Sequence, residues 1–502
     1  MERFKALCLR LKKNEIIFYT VLLCFCLFMA CLSYDYDYDL FARLMVGDSF
    51  INHGIIHYQD LYSYTPTHLW FDHEWGASQF FYVFFKLFGN FGLILIQALL
   101  IFGTTFFVLK TQKIQKNAYP CTMGFTVLFL YFLCHLNPSI VRCHMFSFMF
   151  FSMFLYILEK HRRFNSNLIW LIPPIVLIWN NIHGGVVSGL GIVFIYLLSA
   201  ILTKKQWKKY LYVLVISTFL LGINPYGTDY YSFLLSANTK TRNMITEWWG
   251  VFVQRHVVYY YPAFCVAIVT VITCGIKLLS KKKIELTKLL LLATTATLGI
   301  IHVKLLSLTI IVISGLFYKD LMLLFKKNFV KNFEKIIFPL VCISILFIPM
   351  LHPSESKISH KFPIEEVEFI KQNKISGNIL TPFGLGSYVS YKLYPQNLIY
   401  MDGRYEEVYY DREFDNLIAF ENGLANWQSV YLDYPTEILM PLKAMPTYKE
   451  IEKSGLWIKI YEGPICGVFV KKGTEKRNYI KPPQNIEYYK ETTFDNFGSF
   501  YK

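Results

Sequence analysis

The sequence predicts a polytopic α-helical membrane protein with about eleven transmembrane helices and a small C-terminal α/β domain. Three observations predict it. Hydrophobic residues make up 54% of the 502 and charged residues only 17%, fewer than a soluble chain of this length carries. The runs 16–33, 91–109, 119–136, 144–158, 184–202, 257–276 and 334–350 are almost free of charge. Several approach the roughly 20 apolar residues that cross about 30 Å of hydrocarbon. Finally, the basic residues sit in short clusters between these runs, as topology determinants do.

Taken in order, the first run follows the basic segment M-E-R-F-K-A-L-C-L-R-L-K-K, resembling a signal peptide. It has no small-residue cleavage site and is followed by many spans, which predicts an uncleaved first helix. Shorter runs near 168–180, 207–223, 285–300 and 303–318 complete the eleven. With the N-terminus in the cytoplasm, the inner loops are K-T-Q-K-I-Q-K, E-K-H-R-R-F, T-K-K-Q-W-K-K, L-L-S-K-K-K and F-K-K-N-F-V-K-N-F-E-K, each of them basic. The outer loops then include 34–80 and 224–257.

An odd number of spans places the C-terminal part outside the cytoplasm. The expected organisation is a transmembrane domain at 1–351, an extracytoplasmic α/β domain at 352–472 and a polar tail at 473–502. Within that domain Phe362–Lys374 has helical spacing, while I-L-T-P, S-Y-V-S-Y, N-L-I-Y-M, E-I-L-M-P and C-G-V-F-V look like short strands.

Composition excludes other classes. The net charge of +15 is spread over the inner loops, which argues against nucleic acid as a partner. The eleven cysteines form neither a framework of paired spacings nor a C-x-x-C motif, and most lie in apolar runs. P-F-G-L-G-S-Y lacks the Lys-Ser/Thr of a P-loop, and no helix is evident after it.

The polar groups that call for an explanation all fall on the predicted outer side. Y-D-Y-D-Y-D-L holds Asp35, Asp37 and Asp39 where the chain leaves the first span. Asp39 could cap the helix predicted from L-F-A-R-L-M-V-G-D-S-F-I-N, an amphipathic helix expected in the membrane interface. It could equally deprotonate a hydroxyl. W-F-D-H-E-W places Asp72, His73 and Glu74 beside an aromatic belt; they are anchors at headgroup depth or ligands for a divalent cation. Arg142, His144, Asn181, His183, Asn224 and Glu247 follow in later loops, where turns and helix caps are the simpler reading. Lys304 lies one turn into a short span, paired with a carboxylate or holding a phosphate. Arg404 closes M-D-G-R and Asp60 lies in Y-Q-D-L-Y.

Several of these stretches together resemble the first outer loop and later motifs of bacterial integral-membrane glycosyltransferases of the GT-C superfamily. They are D-Y-D-L-F-A-R-L-M-V-G, W-F-D-H-E-W, W-N-N-I-H-G-G, N-P-Y-G and G-L-G-S-Y…I-Y-M-D-G-R, in that order. Arg43 stands where the subfamily pattern has His, Ala42 replaces an aromatic residue and Gly76 replaces Leu. The resemblance implies sugar transfer from a polyisoprenyl-phosphate donor at the outer face of the bacterial cytoplasmic membrane, onto a lipid-linked glycan, lipopolysaccharide or protein. It gives the base role to Asp37 or Asp39. Alternatively these two, with Glu74, would ligate a divalent cation such as Mg or Mn. Arg43, Arg142, His183, Lys304 and Arg404 would bind donor phosphate or substrate. Asp60, Asp72, His73, Glu74, Asn181, Asn224 and Glu247 would support them. A different class, a lipid or glycan transporter or a non-catalytic assembly partner, would show internal repeats and broken helices.

Overall fold

The computed structural model describes residues 15–33, 36–115, 126–130, 141–239, 245–253, 261–280, 284–324, 327–348, 361–475, 479 and 483. Asp35, most of the run at 119–136 and most of the tail after 473 lie outside the described residues. The chain divides into two compact units: 1–34 with 94–352, and 35–93 with 353–502. The sequence boundary at 351 placed the first loop with the apolar helices; its contacts instead group it with the C-terminal segment.

The larger unit is helical. Among the described residues of the chain, four helices are long and apolar enough to cross a membrane: Glu15–Leu32, Trp75–Ile114, Tyr261–Leu279 and Val303–Met322. Shorter apolar helices are Asn167–Asn180, Val186–Leu202, Leu286–Ile301 and Lys335–Ile345. Trp75–Ile114 is broken at Gly89 (φ 57°, ψ −141°), close to the division between units, so the apolar run at 91–109 forms its own helical segment. Helices His144–Phe164 and Leu286–Ile301 pack against Leu306–Val312, and Val186–Leu202 packs against the first two. Phe219, Leu235 and Leu279 are largely exposed, as suits side chains that meet lipid.

Helix Val303–Met322 carries a π-helical turn at Ile313–Phe317. Such a turn frees carbonyls from the i→i−4 ladder, and in apolar surroundings they need donors. Gln112 donates to Ser314 O (2.8 Å), Gln115 to Gly315 O and Leu316 O (3.0 Å each), and Lys288 to Leu316 O (2.9 Å).

The smaller unit is built on a mixed sheet of β1 (Ile379–Leu380), β2 (Ile438–Leu439), β3 (Trp457–Glu462) and β4 (Gly467–Lys471), in the order β1-β2-β4-β3. β1 and β2 are parallel; β4 is antiparallel to both its neighbours. Single bridges extend the sheet beyond β1, from Ile379 to Ile399 and from Ile399 to Ser63. The first loop thus joins the C-terminal sheet through backbone hydrogen bonds: Tyr64 N to Ile399 O (3.1 Å), Ile399 N to Tyr62 O (3.0 Å) and His68 N to Val408 O (2.7 Å).

Two strand expectations are corrected. S-Y-V-S-Y belongs to helix Phe383–Leu393, which also contains the glycines of P-F-G-L-G-S-Y. N-L-I-Y-M contributes only the bridge at Ile399. Strands at I-L-T-P, E-I-L-M-P and C-G-V-F-V and a helix at Ile364–Gln372 are present. β3 was not anticipated.

Helix Leu40–His53 is buried from Leu40 through Ser49 on every side, so the expectation of an interfacial helix with one exposed face is also corrected. It packs against helix Phe383–Leu393. Phe41 lies 4.9 Å from Tyr388, 5.2 Å from Tyr391 and 5.1 Å from Phe362 between ring centroids. Gly47 lets the first turn of Trp75–Ile114 approach closely; a Cβ there would strike Ser78 O and Tyr82. Phe41→Ala is expected to destabilise this unit by about 3–5 kcal/mol, the cost of an aromatic cavity. Thermal unfolding of the detergent-solubilised protein measures it.

Candidate functional site

The two units each carry a set of charged residues. In the smaller one, Asp37 is buried (3% exposed) and Asp39 is half-buried. Asp39 occupies the N-cap position of helix Leu40–His53, but its backbone is helical and its side chain makes no capping hydrogen bond. The capping role is therefore not what places it there. Its carboxylate lies against Gly403 of M-D-G-R, where a Cβ would overlap it. Only glycine lets the two segments come this close.

Behind this contact lies a buried ion network. Arg43, on the helix that Asp39 begins, reaches Asp72 at 2.6 Å, Glu74 at 3.5 Å and Glu407 at 3.7 Å. Glu407 also accepts from Trp70 Nε1 (2.7 Å) and faces His73 Nδ1 at 3.0 Å. Arg404, 2% exposed, holds Asp60 (2.5 Å) and chelates both oxygens of Asp402 (2.9 and 3.0 Å), with Tyr409 Oη at 3.2 Å. Its guanidinium lies over the rings of Trp70 (4.8 Å) and Tyr62 (5.1 Å). Trp70 thus joins the two arginine clusters, its face on Arg404 and its N–H on Glu407. His57 stacks on Trp70, and burial together with the Arg404 charge pushes its pKa down to about 4, so it is neutral.

This geometry bears on three of the assigned roles. Arg43 and Arg404 are saturated by carboxylates and sealed from solvent, which favours internal counter-ions over ligands for a substrate phosphate. Arg43 also stands among Asp72, Glu74 and Glu407, and its positive charge there disfavours a cation between those carboxylates. Among the described residues, Asp37 and Asp39 belong to no group of three ligand atoms near enough to share an ion.

The network is titratable. Burial pushes the Asp72 carboxyl up to about 6, against the pull of Arg43. Burial disfavours the imidazolium of His73, but the charges of Glu407 and Glu74 outweigh it and push its pKa up to about 9. A pKa raised on folding stabilises the fold below the unfolded value, and that contribution is lost as pH rises through the folded value. Stability is therefore expected to fall between about pH 6.5 and 9 as His73 loses its proton. Melting curves across that window test this, and His73→Gln should flatten the dependence.

In the larger unit, Glu247 sits on a short turn, Thr246–Trp248, between two cations. Arg142 is at 2.5 Å and Lys304 at 2.7 Å, and all three side chains are about a quarter exposed. Lys304 lies in the turn Val303–Leu305 that leads into helix Leu306–Val312, with its ammonium 5.2 Å over Trp248. Backbone bonds pin the two segments together, Val303 N to Trp249 O (3.0 Å) and Val251 N to Ile300 O (2.9 Å). Burial favours the neutral form of Glu247, but Lys304 and Arg142 prevail and hold it well below the usual carboxylate range.

His183 Nδ1 accepts from Gly185 N (2.9 Å) and lies 2.7 Å from Ser147 Oγ, which itself accepts from Trp179 Nε1 (2.8 Å). The accepted backbone N–H leaves the proton of a neutral ring on Nε2. Asn181 donates to Leu177 O and Ile223 O, and Asn224 caps its own turn through Tyr226 N (2.7 Å). Both hold a bend, as the simpler reading had it.

No protein-family model and no curated protein matches the chain. The residues singled out from sequence therefore stand on geometry: Asp37, Asp39, Arg43, Asp60, Asp72, His73, Glu74 and Arg404 gather in the smaller unit. Arg142, Asn181, His183, Asn224, Glu247 and Lys304 belong to the larger one. Sequence reasoning missed Glu407, Asp402 and Ser147, and read Trp70 only as an interfacial anchor. The signal for Glu407 was present in D-G-R-Y-E-E-V-Y, where it sits one helical turn after Arg404.

Proposed function

We propose that the protein is a membrane glycosyltransferase that moves a sugar from a polyisoprenyl-phosphate donor to a glycan, lipid or protein acceptor, with inversion at the sugar carbon. The observation that carries this reading is the Arg142–Glu247–Lys304 triad. Two cations on one carboxylate, at the start of an apolar helix, are a costly arrangement that an anionic lipid headgroup would repay. Lys304 pairs with a carboxylate, as the simpler reading held, but that pairing leaves one positive charge over.

In the proposed reaction Asp39 or Asp37 takes the proton of the acceptor hydroxyl as its oxygen attacks the anomeric carbon. The bond from that carbon to phosphate oxygen breaks, and the electron pair leaves on the phosphate. Arg142 and Lys304 neutralise the charge that develops there, and His183 offers an N–H donor. Arg43 and Arg404 fix the segments that carry the two aspartates. The proposal includes eleven spans, a cytoplasmic N-terminus and a C-terminal domain outside the bacterial cytoplasmic membrane, and it rests there on the alternation of basic loops.

The test is sugar release from labelled polyprenyl-phosphate sugars in a lipid extract. Wild-type protein should consume the donor; no turnover with any donor or acceptor contradicts the reading. A lipid or glycan transporter is the second reading, favoured by the π-helical turn that Lys288 satisfies inside an apolar helix. It predicts movement of lipid-linked glycan across vesicles without loss of sugar from its phosphate.

A further inference from the structure

The charge of the triad bears on which phosphate it would hold, an inference that rests on the proposed function. Arg142 and Lys304 share Glu247, so the group carries a single net positive charge. The turn bearing Glu247 is pinned to the helix junction by its backbone and by His302 Nδ1 at 2.7 Å from Trp248 O, which keeps the carboxylate in place. A second feature points to a ligand. His144 is 9% exposed, its Nε2 has no hydrogen-bond partner among the described residues, and its electrostatic neighbours are Lys304, Arg142, Glu247 and His183. A buried imidazole nitrogen without a partner costs free energy unless something else meets it.

A lipid-linked sugar donor is a phosphodiester with one negative charge. The spent lipid is a phosphate monoester, which carries about −1.5 to −2 at neutral pH. We propose that Glu247 is a charge-matching residue: it holds the Arg142–Lys304 site at one positive charge, so that the site suits the diester donor and releases the monoester product. Without Glu247 the site would carry two positive charges and retain the monoester. Glu247 thus sets specificity between the two lipids rather than taking part in bond making.

The experiment is competitive binding to full-length, detergent-solubilised protein. The probes are farnesyl phosphate, a monoester, and its methyl diester. Wild-type protein should bind the diester at least as tightly as the monoester. E247Q should shift the ratio toward the monoester by on the order of tenfold to a hundredfold, and E247D, which keeps the charge, should behave as wild type. A wild-type preference for the monoester overturns the inference whatever the variants do. So does a ratio unmoved in E247Q, or one moved equally by E247D. Those results leave the glycosyltransferase reading standing. Failure of both probes to bind wild type and E247Q overturns the inference together with the phosphate site on which it rests.

Discussion

Arg404→Leu is expected to destabilise the smaller unit by about 3–5 kcal/mol, the cost of removing one partner from a buried ion pair. The side chain serves two carboxylates at once, Asp60 from the first loop and Asp402 from the C-terminal segment, and both carboxyl groups are fully buried. Leucine would leave two acids with no cation and would remove the platform over Trp70. Lysine should not rescue it, because a single ammonium cannot reproduce the planar fork that aims Nε at Asp402, Nη1 at Asp60 and Nη2 at Tyr409. Thermal melting with limited proteolysis of the first loop reads the effect. Adding Asp402→Leu to Arg404→Leu should recover part of the loss, since a neutral pair costs less than an orphaned charge. A melt unchanged from wild type would mean that this network does not hold the loop.

Lys304→Ala is expected to lower turnover by about 10²- to 10³-fold, the range for losing one group that stabilises developing charge. The effect should fall mainly on kcat, because the leaving phosphate gains its second charge only in the transition state. Lys304→Arg should retain much of the activity. Initial rates on a labelled donor separate the two parameters, and an alanine variant with wild-type kcat would remove Lys304 from the reaction. Loss of fold is not expected to confound the result, since Arg142, 2.5 Å from Glu247, remains to pair with that carboxylate.

Much of this arrangement was legible in the sequence as a set of residues, less as a structure. D-G-R and W-F-D-H-E-W stood out because charges beside apolar or aromatic residues need a reason, and Arg404 and Asp72 prove to be joined to the first loop's own charges. What the sequence could not carry was partnership. Arg43 binds Asp72, 29 residues away, and Arg404 binds Asp60, 344 residues away, and nothing local encodes either. Periodicity failed where burial is complete. Helix Phe383–Leu393 buries nine consecutive residues, so S-Y-V-S-Y alternates by composition without an exposed face to set its period. It failed again at β3, where an irregularity between Lys459 and Tyr461 breaks the two-residue alternation and leaves Trp457 and Ile460 buried, three apart. For Asp39, a favoured cap residue in a cap position, the capping bond is absent and contact with Gly403 takes its place.

The central claim is that Asp37 and Asp39 supply the base for sugar transfer, and the double variant Asp37→Asn/Asp39→Asn in the labelled-donor assay tests it most directly. Asparagine keeps the shape of both side chains and removes their basicity. The variant is expected to be made and to fold at wild-type levels, to bind the donor, and to transfer no sugar. Transfer at the wild-type rate by that variant would contradict the claim.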